Sequence, residues 1–233
     1  MPKPDKLFKQ IRHPKSVNDY YHIFNSSNVL NVVYWWEFFK QVQGINGDIV
    51  ECGVGRARSL ITLSAINKLT SALEGCDERR IFALDSFQGF PEPTFNDKSA
   101  RNPKKGEWSR SPNNQFSYTP KAIEKILKNA GINSEITYLK GFFDKITSNF
   151  QSDAIAILHL DGDLYGSVLH PLKNLWKKLV IGGIIVIDDF LFDKQDDEPF
   201  PGARKAVMEF LEDNNCFDYL ESIRGTPYLK RLK

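Results

Sequence analysis

The stretch 154-AIAILHLDGDLYGS-167 decides the fold. Ala154–Leu160 is apolar apart from His159 and has the length of a strand. A run that is apolar at every position marks a strand covered on both faces. At its tip stand Asp161 and Asp163, separated by Gly162. The stretch 182-GGIIVIDDF-190 has the same form, a greasy strand tipped by Asp188 and Asp189. Further strands are expected at Gly47–Cys52, Arg80–Leu84 and Glu135–Leu139, with the second stretch supplying Gly183–Ile187. Helices are expected between them. Leu164–Leu179 places Leu169, Leu172, Leu175, Trp176 and Leu179 on one side, and Ala203–Leu211 is entered through the turn Pro201-Gly202. Buried strands alternating with helices specify an α/β domain built on a mostly parallel sheet.

Two segments flank this pattern. Phe217–Ser222 and Pro227–Leu232, joined by Arg224-Gly225, read as an antiparallel hairpin. Toward the N-terminus, Ser26-Ser27-Asn28 is expected to cap a helix from Val29 to about Val42. Its stripe of Val29, Val32, Val33, Trp36 and Phe39 is assigned to the core, over the sheet or a partner subunit. The chain divides into an N-terminal helical segment, 1–46, and a main domain, 47–233.

The 233 residues are 41% hydrophobic, as expected of a globular protein, and the formal net charge of +2 does not point to a nucleic-acid partner. No apolar run approaches the roughly 18 residues of a membrane span. The opening MPKPDKLFKQIRHPK lacks the apolar centre of a signal peptide. Three scattered cysteines suit a reduced, cytoplasmic protein and give no thiolate zinc pattern.

The strand Gly47–Cys52 runs into 51-ECGVGRARSL-60. Gly53 and Gly55 permit a tight turn and close backbone approach, and Ser59 lies near the start of a helix whose free N–H groups favour negative charge. Asp85 ends the second strand, where an acid is placed to accept hydrogen bonds from ribose hydroxyls. Glu51 could meet an ammonium group. A dinucleotide fingerprint needs a third glycine, and Arg58 stands there instead. S-adenosylmethionine therefore fits better than NAD.

Asp161, Asp188 and Asp189 end successive strands and should converge at the edge where open α/β sheets bind ligands. Two carboxylates about 4 Å apart repel by roughly 4 kcal/mol at an effective dielectric near 20. A hard divalent ion such as Mg²⁺ offsets that repulsion with oxygen ligands alone. Taken singly, each acidic pair also suits a turn or helix cap, and Asp163 is placed to cap the helix near Leu164. His159 and His170 are read as structural. Gln88–Tyr118 is long enough to be either a lid or an untethered excursion. Its Trp108 favours a lid that docks, and Arg101, Lys104, Lys105 and Arg110 could meet an acidic or phosphorylated acceptor.

In order, ECGVGRARS, ALDSFQGFPEP, LKGFF, LDGDLYGS and GGIIVIDDF resemble the macrocin O-methyltransferase family. The resemblance runs from about Asn28 to Phe210. It implies a class I methyltransferase fold, Rossmann-like, with a seven-stranded sheet and a reversed last strand. It also implies S-adenosylmethionine- and Mg²⁺-dependent methylation of a hydroxyl on a small-molecule acceptor, such as an antibiotic sugar. It places metal ligands at Asp161, Asp188 and Asp189, and cofactor contacts at Glu51, Gly53, Asp85, Ser86, Gly141 and Phe142. Homo-oligomers, dimers being the simplest, are implied as well.

Two departures stand out. Arg56-Ala57-Arg58-Ser59 replaces the family's usual Arg-Gly-Gly-Ser, and Leu164 occupies the position of the general-base lysine in the related catechol-type enzymes. Asp161 is then expected to act as proton acceptor beside the metal. The competing expectations are an NAD-dependent oxidoreductase and a cofactor- or metal-binding module without catalysis.

Overall fold

The computed structural model describes residues 26–110, 118–190 and 198–233. Part of the N-terminal segment (1–25) and part of the expected lid (111–117) lie outside the described residues. The sheet comprises β1 (Asp48–Cys52), β2 (Ile81–Asp85), β3 (Ile136–Lys140), β4 (Ile155–Leu160), β5 (Leu179–Ile187), β6 (Phe217–Glu221) and β7 (Pro227–Arg231). The helices are α1 (Ser26–Gln41), α2 (Arg58–Glu74), α3 (Pro120–Asn129), α4 (Phe143–Ile146), α5 (Tyr165–Leu175) and α6 (Pro201–Asp213), with 3₁₀ turns at Phe95–Asp97 and Trp176–Lys178.

The strand order is β3-β2-β1-β4-β5-β7-β6. The first five of these are joined in parallel, and β7 pairs antiparallel with both β5 and β6. The reversed strand is therefore the last one, as expected, and it is inserted between two others. The parallel strands all end at one edge, where the loops that follow β1, β2, β4 and β5 meet.

Alternation along the strands supplies two cores. Ile49, Ile157, Ile184 and Val186 face α1, α2 and α3, while Val50, Leu158, Ile185 and Ile187 face α5 and α6. Within the first core, Trp35 and Phe38 of α1 are 1% and 0% exposed. Each such side chain, once buried, contributes about 1.5–3 kcal/mol.

The helix α1 corrects the expected stripe. Tyr34, Trp35, Phe38, Phe39 and Val42 are buried, whereas Val29, Val32 and Val33 are 45%, 45% and 40% exposed. The helix also begins at Ser26, so Ser26-Ser27-Asn28 forms its first turn and does not precede it. Other boundaries move at the second core. The expected helix Leu164–Leu179 stops at Leu175, passes through the 3₁₀ turn, and gives Leu179 to β5. Strand β5 thus starts before Gly182-Gly183, with a register shift opposite Ile155/Ile157 accommodating the glycines.

Candidate active site

The β1 and β4 strand ends nearly touch. The Asp161 amide donates to the Cys52 carbonyl at 2.8 Å. A Cβ on Gly53, which has φ 98°, would sit 1.8 Å from the Asp161 carbonyl oxygen. Gly53 is therefore demanded by the approach of the two strands. Gly55, with φ 46°, faces open space. The loop between them is held from β2: Asp85 Oδ2 accepts from the Val54 and Gly55 amides at 2.8 and 3.1 Å, and Oδ1 accepts from the Phe87 amide at 2.6 Å. Ala57, where the family usually carries glycine, adopts φ 60°, ψ 22° just before α2 with its methyl fully buried. A left-handed residue of this kind costs roughly 1–2 kcal/mol, and the packed methyl offsets part of that.

Glu51 and His159 are register partners on β1 and β4. Both side chains are 1% exposed, and His159 Nδ1 lies 3.0 Å from Glu51 Oε1. Trp35 of α1 packs edge-on against the imidazole, its ring centroid 4.7 Å away. Burial pushes the Glu51 carboxyl up. Burial pulls His159 down, but the Glu51 hydrogen bond and charge outweigh it, so His159 is raised overall. The two are hydrogen-bonded to each other away from solvent. His159 is thus the satisfied core histidine expected. Glu51, expected to meet an ammonium group, is buried and pairs through Oε1 with His159.

Four aspartates gather at the tips of β4 and β5. His159, Asp161 and Asp188 offer ligand atoms within 4.8 Å of one another, and so do Asp161, Asp163 and Asp189. Asp161 belongs to both groups. Asp188 turns toward His159, while Asp189 turns toward Asp163. Burial, then the Asp188 charge, lifts the Asp161 carboxyl well above the usual range. Burial, then the hydrogen bond with Asp189, does the same to Asp163. Burial also raises Asp189. Asp163 and Asp189 both hold left-handed backbones, φ 58° and 54°. Non-glycine residues held this way store strain and cluster at working sites.

A crowded set of carboxylate donors fits a hard divalent cation. Asp163, expected as a helix cap, does not cap α5; among the described residues the amide of Tyr165 is taken by Asp97, at 2.7 Å.

The glycine loop and the aspartates line one cavity of about 580 Å³. Gly53, Gly55, Ser59, Asp85, Ser86, Gly141 and Phe142 lie on its wall, as do Asp161, Asp188 and Asp189; Glu51 does not. The segment after β2 forms one side. Phe90 and Glu107 pair through the Phe90 amide at 2.9 Å, and Trp108 lies under the Arg56 guanidinium, 5.6 Å from its ring centre. The described part of this segment is thus tethered.

The basic residues expected to meet an acidic acceptor lie off the cavity wall. Arg101 pairs with Glu107 at 2.7 Å and stacks on Phe200, Lys104 bonds Asn102, and none of Arg101, Lys104, Lys105 and Arg110 lines the cavity. Among the other lining residues, two bear directly on the site. His170 lines the cavity although it was read as structural. Arg224 arrives from the β6–β7 turn, its guanidinium 4.6 Å from the Tyr34 ring centre. A hairpin whose turn lies at the ligand edge was the available signal for Arg224.

A mostly parallel sheet with one reversed strand, a glycine loop after β1 and acids at the tips of β4 and β5 make up a class I methyltransferase fold. The model of the macrocin O-methyltransferase family (TylF) matches residues 38–230, and the chain belongs to that family. It is 27% identical over 193 residues to mycinamicin III 3''-O-methyltransferase of Micromonospora griseorubida, covering 81% of this chain and 70% of that protein. It is 28% identical over 191 residues to demethyldecarbamoylnovobiocin O-methyltransferase of Streptomyces niveus, covering 81% and 68%.

Among solved structures, the O-methyltransferase NovP superposes with a TM-score of 0.68 at 25% identity, over 87% of this chain and 79% of that one. The calicheamicin methyltransferase CalS11 superposes with a TM-score of 0.72 at 20% identity, over 94% and 87%. The protein is an O-methyltransferase.

Proposed function

We propose that the protein methylates a hydroxyl of an uncharged sugar on a small molecule, using S-adenosylmethionine and a divalent cation, Mg²⁺ being the natural choice. The observation that carries this reading is the shared cavity: the glycine loop at one end, four aspartates at the other. S-adenosylmethionine would supply an electrophilic methyl group, and the cation the Lewis acidity that makes a sugar hydroxyl acidic enough to react.

The chain's own residues do the rest. Gly53, Gly55, Ser59, Asp85, Ser86, Gly141 and Phe142 hold the cofactor. Asp161, Asp188 and Asp189 hold the cation, and Asp163 stands beside them. Asp161 is the proton acceptor nearest both aspartate groups. Alignment of the acceptor oxygen with the methyl group accounts for much of the remaining rate.

The charge of the wall supports an uncharged acceptor. Seven carboxylates line the cavity against three guanidiniums, those of Arg56, Arg58 and Arg224. A sulfonium and a divalent cation suit such a wall, while a phosphorylated acceptor does not. The curated relatives act on mycinamicin III and on demethyldecarbamoylnovobiocin.

Two coarser properties follow the same reading. The exposed Val29, Leu30, Val32 and Val33 form an apolar face on α1 that suits a homodimer. The cysteines, all free, suit a reducing, cytoplasmic setting, and no helix among the described residues is long and apolar enough to cross a membrane.

The test pairs binding with turnover. Calorimetry on Asp161→Asn is expected to show S-adenosylhomocysteine bound nearly as in the wild type and Mn²⁺ bound much more weakly. With a glycosylated acceptor, exhaustive chelation is expected to abolish wild-type turnover. Turnover that survives chelation sinks the cation's role.

A further inference from the structure

Asp97 is 2% exposed in the middle of a segment otherwise rich in solvent-facing polar groups. Its Oδ2 accepts from the Thr94 amide and from the Thr94 hydroxyl, each at 2.7 Å. Its Oδ1 accepts from the amide of Tyr165, the first residue of α5, at 2.7 Å. Leu164, which precedes α5, makes no side-chain cap of its own. A helix leaves its first amides without partners, and one of them is here satisfied by a carboxylate from 68 residues away. Gly202 at the start of α6 makes room for this: a Cβ there would lie 2.2 Å from Asp97 Oδ1 and 2.6 Å from the Tyr165 amide. Lys205 of α6 and the Pro199 carbonyl add bonds to Asn96 and Ser99.

The first turn of α5 is in turn fused to the aspartate loop. A Cβ on Gly162 would meet the Ser167 side chain at 2.8 Å, and the Leu164 amide closes a tight turn onto the Gly162 carbonyl. The path therefore runs from Asp97 to Tyr165, through the first turn of α5, to Asp161 and Asp163.

We propose that Asp97 is a positioning residue that ties the segment after β2 to the first turn of α5, so that docking of that segment sets the loop bearing Asp161 and Asp163. It does not line the cavity. The consequence is that the cover of the cavity and its acidic pole form together. The cation half of the following test rests on the function proposed above; the backbone half does not.

The test compares wild type, Asp97→Asn and Asp97→Ala by residue-resolved amide exchange and by titration with Mn²⁺ and S-adenosylhomocysteine. Asparagine keeps an oxygen for Tyr165 but cannot also accept both bonds from Thr94, so it should fall between the other two. In Asp97→Ala, exchange at Tyr165–Ser167 is expected to rise roughly ten-fold or more while Ile49 and Val50 in β1 stay protected. Mn²⁺ affinity should fall roughly ten-fold, in the range seen when groups that orient metal ligands are removed. S-adenosylhomocysteine affinity should stay within about two-fold, because the glycine loop is held independently by Asp85.

Unchanged exchange at Tyr165–Ser167 overturns the proposal, and so does a rise shared by β1, which marks plain destabilisation. Unchanged Mn²⁺ affinity in Asp97→Ala overturns it too. If the wild type itself takes no Mn²⁺, the cation reading falls, and the exchange pattern alone decides the role of Asp97.

Discussion

Asp85 reaches from the tip of β2 to hold the loop that follows β1, its Oδ2 accepting from the Val54 amide at 2.8 Å and the Gly55 amide at 3.1 Å. Hydrogen bonds to a charged acceptor are worth about 1.5–3 kcal/mol each. Replacing Asp85 with alanine should therefore loosen the glycine loop as well as remove any ribose contact. Calorimetry is expected to show S-adenosylhomocysteine bound at least ten-fold more weakly, with Asp85→Asn between alanine and wild type. An unaltered affinity in Asp85→Ala would place the adenosyl site elsewhere.

The two glycines of that loop should respond differently. Gly53→Ala drives a methyl into the Asp161 carbonyl at 1.8 Å, so the strand ends must part. Gly55→Ala meets no atom within 4 Å and suffers only its φ of 46°. The expected cost is roughly 1–2 kcal/mol for Gly55→Ala from left-handed strain, and distinctly more for Gly53→Ala. Equal denaturation midpoints for the two variants would contradict the convergence of β1 and β4.

The pair Glu51–His159 makes a prediction about stability. Removing one partner of a buried ion pair is strongly destabilising, by about 3–5 kcal/mol, because the other is stranded. His159→Ala leaves Glu51 in that position and also removes the ring against Trp35. Glu51→Gln keeps a hydrogen-bonding partner for His159 and should cost much less. Urea unfolding of both variants reads the difference, and comparable losses would show that a neutral hydrogen-bonding partner cannot replace the Glu51 carboxylate.

The docked segment can be probed through Trp108. A cation–π contact at an exposed site is worth roughly 0.5–1 kcal/mol, enough to shift a local opening equilibrium several-fold. Trypsin should cleave after Lys104 and Lys105 slowly in the wild type and a few-fold faster in Trp108→Ala. S-adenosylhomocysteine should slow both, since Trp108 and Arg56 line the cavity. Cleavage at one rate in all four conditions would deny the segment a lid's role.

What the sequence made legible follows from range. The aspartates at 161, 188 and 189 were readable because each ends an apolar run, and a run's end is a local signal. The reversed strand was readable from Arg224-Gly225 between two strand-length segments. The buried face of α1 was not, because SSNVLNVVYWWEFFKQ is apolar around most of its circumference and periodicity cannot choose a side. The start of β5 was hidden by Gly182-Gly183, which reads as a turn although the strand runs through it with a shifted register. Asp97 capping a helix 68 positions later, and Glu51 paired with His159, are products of strand and loop packing. Neither leaves a mark in its own neighbourhood of the sequence.

The placement of β7 between β5 and β6 also bears on how the protein is born. A ribosome emits β5 and then β6, but the position beside β5 belongs to a strand not yet made. Until β7 emerges, one side of β5 presents the backbone of an apolar strand without its neighbour, the kind of edge that recruits foreign strands. Closure of the sheet must wait until β7 has emerged, and the same step delivers Arg224 to the cavity. A nascent chain stalled before Pro227 would thus leave β5 with an open edge and Arg224 without the strand that places it.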